Sequence, residues 1–523
     1  MLIDARSLPT GTTLDTEVCI IGAGAAGISL AREFAGAKFR VMLLEGGGLK
    51  FEHRSQFLHR GVSSGRPYRP LEGTHRRQFG GTTAVWFGRC RPLDAVDFEA
   101  RSWLPNSGWP IARSDLAPYY ERAGALCEIG SSSDEAAIPL PKESGLEGKL
   151  YHFSPPTHFG QKYLPALLSA TNIRVLIHAN ATRLDSGSEG GTGTSIQCKT
   201  LNGKNLAVAA RLFILAGGGL ENPRLLLNSR DVHGVGLGNA HDLVGRFFME
   251  HVGTFIAAVT AIPAEFPRQY LRLDYQTFQR NLQPTAAAGL PERRLREEQL
   301  LNARAFLVRR PRYKLDDRFH SARMRGFINV VEMLEHRRPP SRAFFGNLRH
   351  TVQNSPTVLR SVSMALQGKL AAETLYGVEL QSETAPNRDS RVTLTDQVDA
   401  LGTPRVRLEW KLSTQDLDSF QRVQEQLLRG LGKCGVTTRK FQHDLDADGW
   451  PVAVAASSHH MGTTRMSQNP QLGVVDADCR IHGISNVYVA GSSVFPTCGM
   501  ANPTLTIVAL AIRLADHIKQ VLG

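Results

Sequence analysis

TEVCIIGAGAAG, residues 16–27, decides how the rest of the chain is read. EVCII (17–21) is a short apolar, β-prone run closed by a glycine, and AAGISLAREFAG (25–36) follows with helical character. RVMLLEGG (40–47) reads as a second buried strand ending in an acid, which completes a β-α-β unit. Gly22, Gly24 and Gly27 therefore fit G-x-G-x-x-G between a strand and a helix. Gly22 permits the tight turn, Gly24 lets backbone amides approach a pyrophosphate, and Gly27 allows close helix–strand packing. The helix N-terminus adds partial positive charge. Glu45, 18 residues beyond Gly27, is placed to accept hydrogen bonds from ribose hydroxyls and to repel a 2′-phosphate, which disfavours NADP.

The cradle alone does not separate NAD from FAD. Only one full cradle occurs in 523 residues, a second glycine patch stands at Gly80-Gly81, and the last 65 residues or so bring another glycine turn, Gly491-Ser492. A long flavin dinucleotide needs several chain segments along its length, so FAD is favoured.

At 523 residues two domains are the natural expectation. A composition of 42% hydrophobic and 21% charged residues suits a soluble enzyme, and no apolar run of about 18 residues could span a membrane. The first residues lack the pattern of a secretory signal, so a cytoplasmic location is expected. Seven scattered cysteines include no C-x-x-C pair and no Cys/His cluster with metal-ligand spacing; reduced thiols and no metal are expected. Of the net charge of +13, the stretch 267–360 supplies +11, with 19 Lys+Arg against 8 Asp+Glu. Its arginines include Arg293, Arg294, Arg296, Arg309, Arg310, Arg312, Arg337 and Arg338. Such a region reads as a solvated face, a lid over the substrate, or a dock for an acidic electron carrier. No nucleic-acid-reading motif accompanies it, so nucleic acid is not an expected partner.

Along the chain, 131–147 reads as a surface loop, 173–186 as one strand, and 194–218 as a hairpin turning at Asn202-Gly203 and leading into a buried strand. Beyond about residue 255 the β-α-β order ends, leaving isolated strands such as RVTLT (391–395) and RVRLEW (405–410). The expected division is a discontinuous cofactor domain (1–100, 170–255, 455–523), a linker or cap (101–169) and a substrate domain (256–454).

Near the C-terminus, Asn502-Pro503 has helix-start chemistry, Asn as N-cap and Pro at the first helical position. Ile507, Leu510, Ala511, Leu514 and Ile518 mark an apolar helical face. A helix N-terminus aimed at the flavin pyrimidine would stabilise the charge that develops on reduction, and Thr504 could donate to a ring carbonyl. His459 and His460 lie among small residues in SSHHMGTTRM (457–466). A histidine is the usual base for a hydroxyl proton, but local chemistry does not choose between these two.

Taken together, GAGAAG (22–27), Glu45, R-x-x-G-G (Arg77 to Gly81), LAGGGLENPRLLL (215–227), VGRFFMEH (244–251), APNRDSRVTL (385–394), H-x-x-G-T (His459 to Thr463) and NVYVAGSSVFPTCGMANPTLT (486–506) resemble the glucose-methanol-choline (GMC) family of FAD-dependent oxidoreductases over nearly the whole chain. The resemblance implies an α/β, two-domain flavoprotein with a Rossmann-like FAD domain and a substrate domain carrying a mostly antiparallel sheet. It selects His459 as the base, leaving His460 a supporting residue, and places Asn502 beside the substrate hydroxyl. Cofactor contacts are expected from Gly22, Gly24, Ala25, Ala26, Gly27, Glu45, Gly46, Arg77, Gly80, Gly81, Thr82, Ala84, Val85, Trp86, Ala181, Ala216, Gly217, Gly491, Ser492, Pro503 and Thr504. Some relatives attach FAD covalently through a histidine at the position of Val85, so non-covalent FAD is expected here.

The motifs look most like bacterial sugar and glycoside oxidoreductases and pyranose-oxidase-like enzymes, and also like the dehydrogenases of aminoglycoside biosynthesis. The expected reaction is oxidation of a CH–OH group of a sugar, glycoside or related alcohol, with oxygen, a quinone or a protein carrier as electron acceptor. Three alternatives stand beside it: an aminoglycoside or other secondary-metabolite alcohol as substrate, an FAD-containing lyase of the hydroxynitrile-lyase type, and a plain NAD-dependent dehydrogenase. Co-export to the periplasm on a signal-bearing partner subunit is the alternative location.

Overall fold

The computed structural model of the chain describes residues 1–130, 138–272, 283–311 and 374–523. Part of the loop expected at 131–147 and much of the basic stretch, including Arg312, Arg337 and Arg338, lie outside the described residues.

Val18–Ile21, Val41–Leu44 and Leu212–Leu215 are uninterrupted apolar runs, as strands buried on both faces must be. They stand at the centre of a sheet in which Leu2–Asp4, Ile173–Ile177, Val41–Leu44, Thr12–Ile21 and Asn205–Leu215 run parallel, in that spatial order. Asn205–Leu215 shares its far edge: its first half pairs antiparallel with Gly193–Lys199, its second half parallel with Val487–Val489. Gly193–Lys199 pairs in turn with Asn180–Ser186. The hairpin turns at Gly203, whose φ of +88° suits glycine. Helix Ala25–Glu33 packs against the C-terminal helix Thr504–Leu522, which packs on Arg113–Leu126. Leu505, Val508, Leu510, Leu514 and Ile518 are fully buried there, each contributing roughly 1.5–3 kcal/mol.

A second sheet has the order Thr437–Lys440, Val252–Ala261, Thr374–Ser382, Ala303–Pro311, Thr285–Gly289, Glu147–Phe153 and Arg89–Cys90, each antiparallel to its neighbour. Leu271–Arg272 and Ala455–Ala456 add short pairings to it. A third, small sheet joins Arg391–Val398 and Pro404–Trp410 antiparallel, with Val62–Gly65 parallel to the latter. The expected mixed α/β architecture, one parallel-cored sheet and one mainly antiparallel, is what forms.

Some boundaries differ from expectation. The strand read over 173–186 is two, Ile173–Ile177 and Asn180–Ser186, broken at His178 with φ +57°. The break occurs because the His178 and Ala179 N–H groups bond the carbonyls of Gly47 and Glu45. Within the expected linker, Arg113–Leu126 is a helix and Glu147–Phe153 is a strand of the second sheet. The expected cut at residue 255 falls inside Val252–Ala261, which belongs wholly to that sheet.

Candidate active site

The C-terminal ends of Thr12–Ile21, Val41–Leu44 and Asn205–Leu215 converge on one glycine turn. At Gly22 φ is +111°, and a Cβ there would lie 2.6 Å from Ala216 O; one on Gly27 would lie 1.9 Å from Gly22 O. Gly81 brings the second glycine patch against the first, where a Cβ would meet Gly24 Cα at 2.9 Å. Gly24 differs: its φ is −83° and a Cβ would meet nothing within 4 Å, so it faces open space. Gly24 is also the N-cap of helix Ala25–Glu33, with no side chain to satisfy the first-turn N–H groups.

This turn opens on a cavity of about 1650 Å³. Small-molecule pockets hold roughly 300–1,000 Å³, so the volume suits a dinucleotide with a substrate beside it. Gly22, Gly24, Ala25, Ala26, Glu45, Gly46, Arg77, Gly81, Thr82, Val85, Trp86, Ala181, Ala216, Gly217, His459, Gly491, Ser492, Asn502, Pro503 and Thr504 all line it. Gly27, Gly80 and Ala84 do not. Gly27 is buried in the helix–strand contact, and Gly80 ties the patch to the cradle through its N–H to Ala23 O at 2.8 Å. Thr82, in the 3-10 turn Gly81–Ala84, and Val85, just after it, reach the cavity, whereas Ala84 does not. Two charged residues are partly engaged within the protein. Arg77 donates to Asn180 Oδ1 (2.9 and 3.1 Å), His59 Nε2 (3.0 Å) and Glu221 (3.2 Å). Glu45 accepts from Gly47 N at 2.7 Å and Ala23 N at 3.2 Å; burial raises its pKa against those bonds.

The other end of the cavity holds the histidine loop. Met249 and Met461 exchange backbone hydrogen bonds (3.0 and 3.1 Å), and Ser457 N donates to His251 O at 3.1 Å. The loop thus runs beside residues 249–251, two hundred positions earlier. Ser458 takes φ +64°, and Gly462 takes +88° where a Cβ would strike Phe247 O at 2.2 Å. Thr463 Oγ1 bonds Gly219 O at 2.7 Å. These contacts account for the glycine and threonine of H-x-x-G-T. The His459 backbone N–H donates to Glu250 Oε2 at 2.9 Å. On the ring, Nδ1 lies 3.0 Å from His251 Nδ1 and Nε2 lies 3.3 Å from Asn502 Nδ2. Asn502 is therefore not the cap it was expected to be: the helix begins at Thr504, Pro503 precedes it in helical geometry, and no side chain caps it. The Asn502 amide is turned toward the histidine instead.

Burial, and then the neighbouring His251, Arg89 and His460, hold the His459 pKa well below the usual histidine value. The ring is neutral at pH 7. Burial pushes Glu250 up to about 7, opposed by the Tyr68 hydroxyl and the His459 N–H that donate to it. His460 stands behind, 8% exposed, its ring against His75, Tyr68 and Phe248. Arg89 lines the side formed by the second sheet, donating to Gln381 Oε1 at 3.3 Å with its guanidinium over Phe306. Glu250, His251 and Tyr68 were not singled out from sequence. The available signal was VGRFFMEH, whose last two residues are the first pair.

Among the described residues, His59, His75 and Glu221 are close enough to suggest a metal site. The two rings stack face to face at 3.8 Å, so their in-plane lone pairs run side by side, and Glu221 already pairs with Arg77 and Arg224. That geometry does not chelate one ion.

Two GMC oxidoreductase family models match residues 158–253 and 386–511. The chain belongs to the GMC oxidoreductase family. It is 24% identical to 6'''-hydroxyparomomycin C oxidase of Streptomyces lividus, over 96% of this chain and 92% of that one. It is also 24% identical to 2-methyl-1,2-propanediol dehydrogenase of Mycolicibacterium austroafricanum, over 97% and 95%. In fold it matches pyridoxine 4-oxidase from Mesorbium loti with a TM-score of 0.58, covering 96% of this chain and 98% of that one at 17% identity. The chain is thus an FAD-dependent oxidoreductase acting on CH–OH donors. The cavity fits that cofactor: open space over Gly24, an uncapped helix start at Ala25, and a second uncapped start at Thr504 all face one volume. Among the described residues no helix is long and apolar enough to cross a membrane.

Proposed function

We propose that this enzyme oxidises a secondary or primary alcohol of a sugar, glycoside or related polyol, with His459 taking the hydroxyl proton at Nε2. The observation that carries this reading is the meeting of His459 Nε2 and Asn502 Nδ2 at 3.3 Å on the wall of the cavity that also holds the glycine cradle. When bound, the flavin of FAD supplies the acceptor for the hydrogen leaving carbon as hydride. Neutral His459 is the general base, and the Asn502 amide donates to the substrate oxygen and holds it beside that base. Gly22, Gly24, Ala25, Ala26, Gly81 and Thr82 would hold the pyrophosphate, and Pro503 and Thr504 would present a helix N-terminus to the flavin ring. The Val85 side chain offers no group for covalent attachment, which supports dissociable FAD.

The substrate class follows from motif resemblance and from relatives spanning nearly the full length, whose names concern a hydroxyparomomycin and a propanediol. We favour a dehydrogenase passing electrons to a quinone or protein carrier over an oxidase. Seven free cysteines, six of them buried, support a cytoplasmic location, and cell fractionation tests it. Anaerobic titration with sugars, glycosides, aminoglycosides and simple alcohols tests the main reading through flavin absorbance. Bleaching by one class names the substrate, and admitting air then separates oxidase from dehydrogenase. Tightly bound flavin that none of them bleaches would favour the lyase alternative.

A further inference from the structure

Gly499, His251, His459 and Asn502 form one line of polar contacts. His251 Nε2 lies 2.8 Å from Gly499 O, the two Nδ1 atoms lie 3.0 Å apart, and His459 Nε2 faces Asn502 Nδ2 at 3.3 Å. A carbonyl oxygen only accepts, so His251 Nε2 carries a hydrogen. His251 is 1% exposed, and burial brings its pKa down to about 4, so the ring is neutral and its Nδ1 is a bare lone pair. Two ring nitrogens at 3.0 Å need one hydrogen between them, and only His459 Nδ1 can supply it. His459 Nε2 is then left unprotonated, facing an amide that donates.

We infer that His251 is a positioning residue that locks His459 in the tautomer whose Nε2 is free to accept a proton from substrate. The inference rests on the reading of His459 as the base. The proton balance is simple. The substrate O–H bond breaks, the proton goes to His459 Nε2, and Nδ1–H stays bonded to His251 before and after. Proton uptake therefore requires no rotation of the ring, and the neutral and charged forms use the same hydrogen bond. The anchor is itself fixed: Gly499 takes φ +54°, and a Cβ there would lie 2.6 Å from the Asp97 carboxylate. The two imidazole planes stand nearly perpendicular, with an interplanar angle of 84° and centroids 5.0 Å apart. With the two Nδ1 atoms 3.0 Å apart and the centroids 5.0 Å apart, each Nδ1 lies on the side of its ring that faces the other, so an in-plane N–H of one can meet the in-plane lone pair of the other.

The test compares His251→Leu, which removes the acceptor, with His251→Asn, whose Oδ1 can stand where Nδ1 does. Ring ¹⁵N chemical shifts of holoenzyme labelled at histidine give the tautomer of His459, assigned by its loss in His459→Asn. Flavin content reports folding and loading. Anaerobic flavin reduction by D-glucose, methyl glucoside and paromomycin gives the rate. The expected wild-type spectrum has His459 protonated at Nδ1 and bare at Nε2. In His251→Leu the Nε2–H form should appear and flavin reduction should slow on the order of 10²-fold or more at unchanged flavin content. His251→Asn should restore the wild-type tautomer and most of the rate. A wild-type His459 protonated at Nε2 overturns the inference, and it does so even if His251→Leu does not fold. So does a His251→Leu enzyme that keeps the wild-type tautomer and rate. If His459→Asn reduces its flavin as fast as wild type, the base assignment fails, while the tautomer remains readable in the spectrum.

Discussion

Replacing Glu250 with glutamine should make the protein more stable above pH 7 and leave it nearly unchanged at pH 5. Glu250 is fully buried, takes bonds from Tyr68 and the His459 N–H, and has its pKa raised from 4.5 to about 7. A group that holds its proton more tightly when folded contributes stability below its unfolded pKa. That contribution disappears as pH rises through the folded value. The window is thus pH 4.5 to 7, and the loss across it is about 3 kcal/mol at 1.36 kcal/mol per unit. Glutamine resembles the protonated acid and has no such loss. At about 2.1 cal/mol/K per residue, 523 residues unfold with roughly 1.1 kcal/mol/K, so 3 kcal/mol is about 3 °C. Thermal unfolding of both proteins at half-unit steps from pH 5 to 8 isolates Glu250, because Asp97, also raised to about 7, is common to both. A Tm difference that stays constant across that range would refute the reasoning, whatever its sign.

Three other expectations concern the cofactor and the core. Gly24→Leu should fold yet purify colourless, because its side chain enters open cavity at an ordinary φ, whereas Gly27→Leu should fail to fold because its Cβ would lie 1.9 Å from Gly22 O; circular dichroism and flavin absorbance distinguish them. Acid precipitation of the wild type should release all yellow colour to the supernatant, and colour retained in the pellet would disprove dissociable FAD. Arg101→Met should destabilise by about 3–5 kcal/mol, or roughly 3–5 °C in Tm, since it strands the wholly buried Glu383 that Arg101 holds at 2.5 Å. Replacing both partners with apolar residues should recover much of that loss.

Local chemistry made the cradle legible. Gly22, Gly24 and Gly27 could be read because their spacing falls within twelve residues at a strand-to-helix turn, although the steric reasons differ: Gly27 meets Gly22 O, Gly22 meets the distant Ala216 O, and Gly24 meets nothing and leaves the cavity open. His459 and Asn502 were named through two separate blocks of the resemblance, 459–463 and 486–506, which the structure brings together at 3.3 Å, and the capping role expected of Asn502 gave way to that contact. What could not be read locally is whatever depends on distant segments pairing. His251 and Glu250 matter because 249–251 runs beside 457–461, and a sequence shows no sign of that adjacency. The same holds for His178, where the chain breaks a strand to bond the turn after Val41–Leu44. It holds too for Arg77, whose partners Asn180 and Glu221 come from far along the chain.

The strand Val252–Ala261 begins one residue after His251, pairs with Ala455–Ala456 just before His459, and contributes Gly253 to the cavity wall. An engineer wishing to widen substrate scope would meet a constraint there. Any redesign that shifts this strand also shifts the ring that sets the protonation pattern of His459, so selectivity and turnover are mechanically geared together along it. Ala303–Pro311, which contributes Arg309 and Arg310 to the same cavity, has no backbone pairing to the histidine loop. It is the better place to begin directed evolution toward a new alcohol.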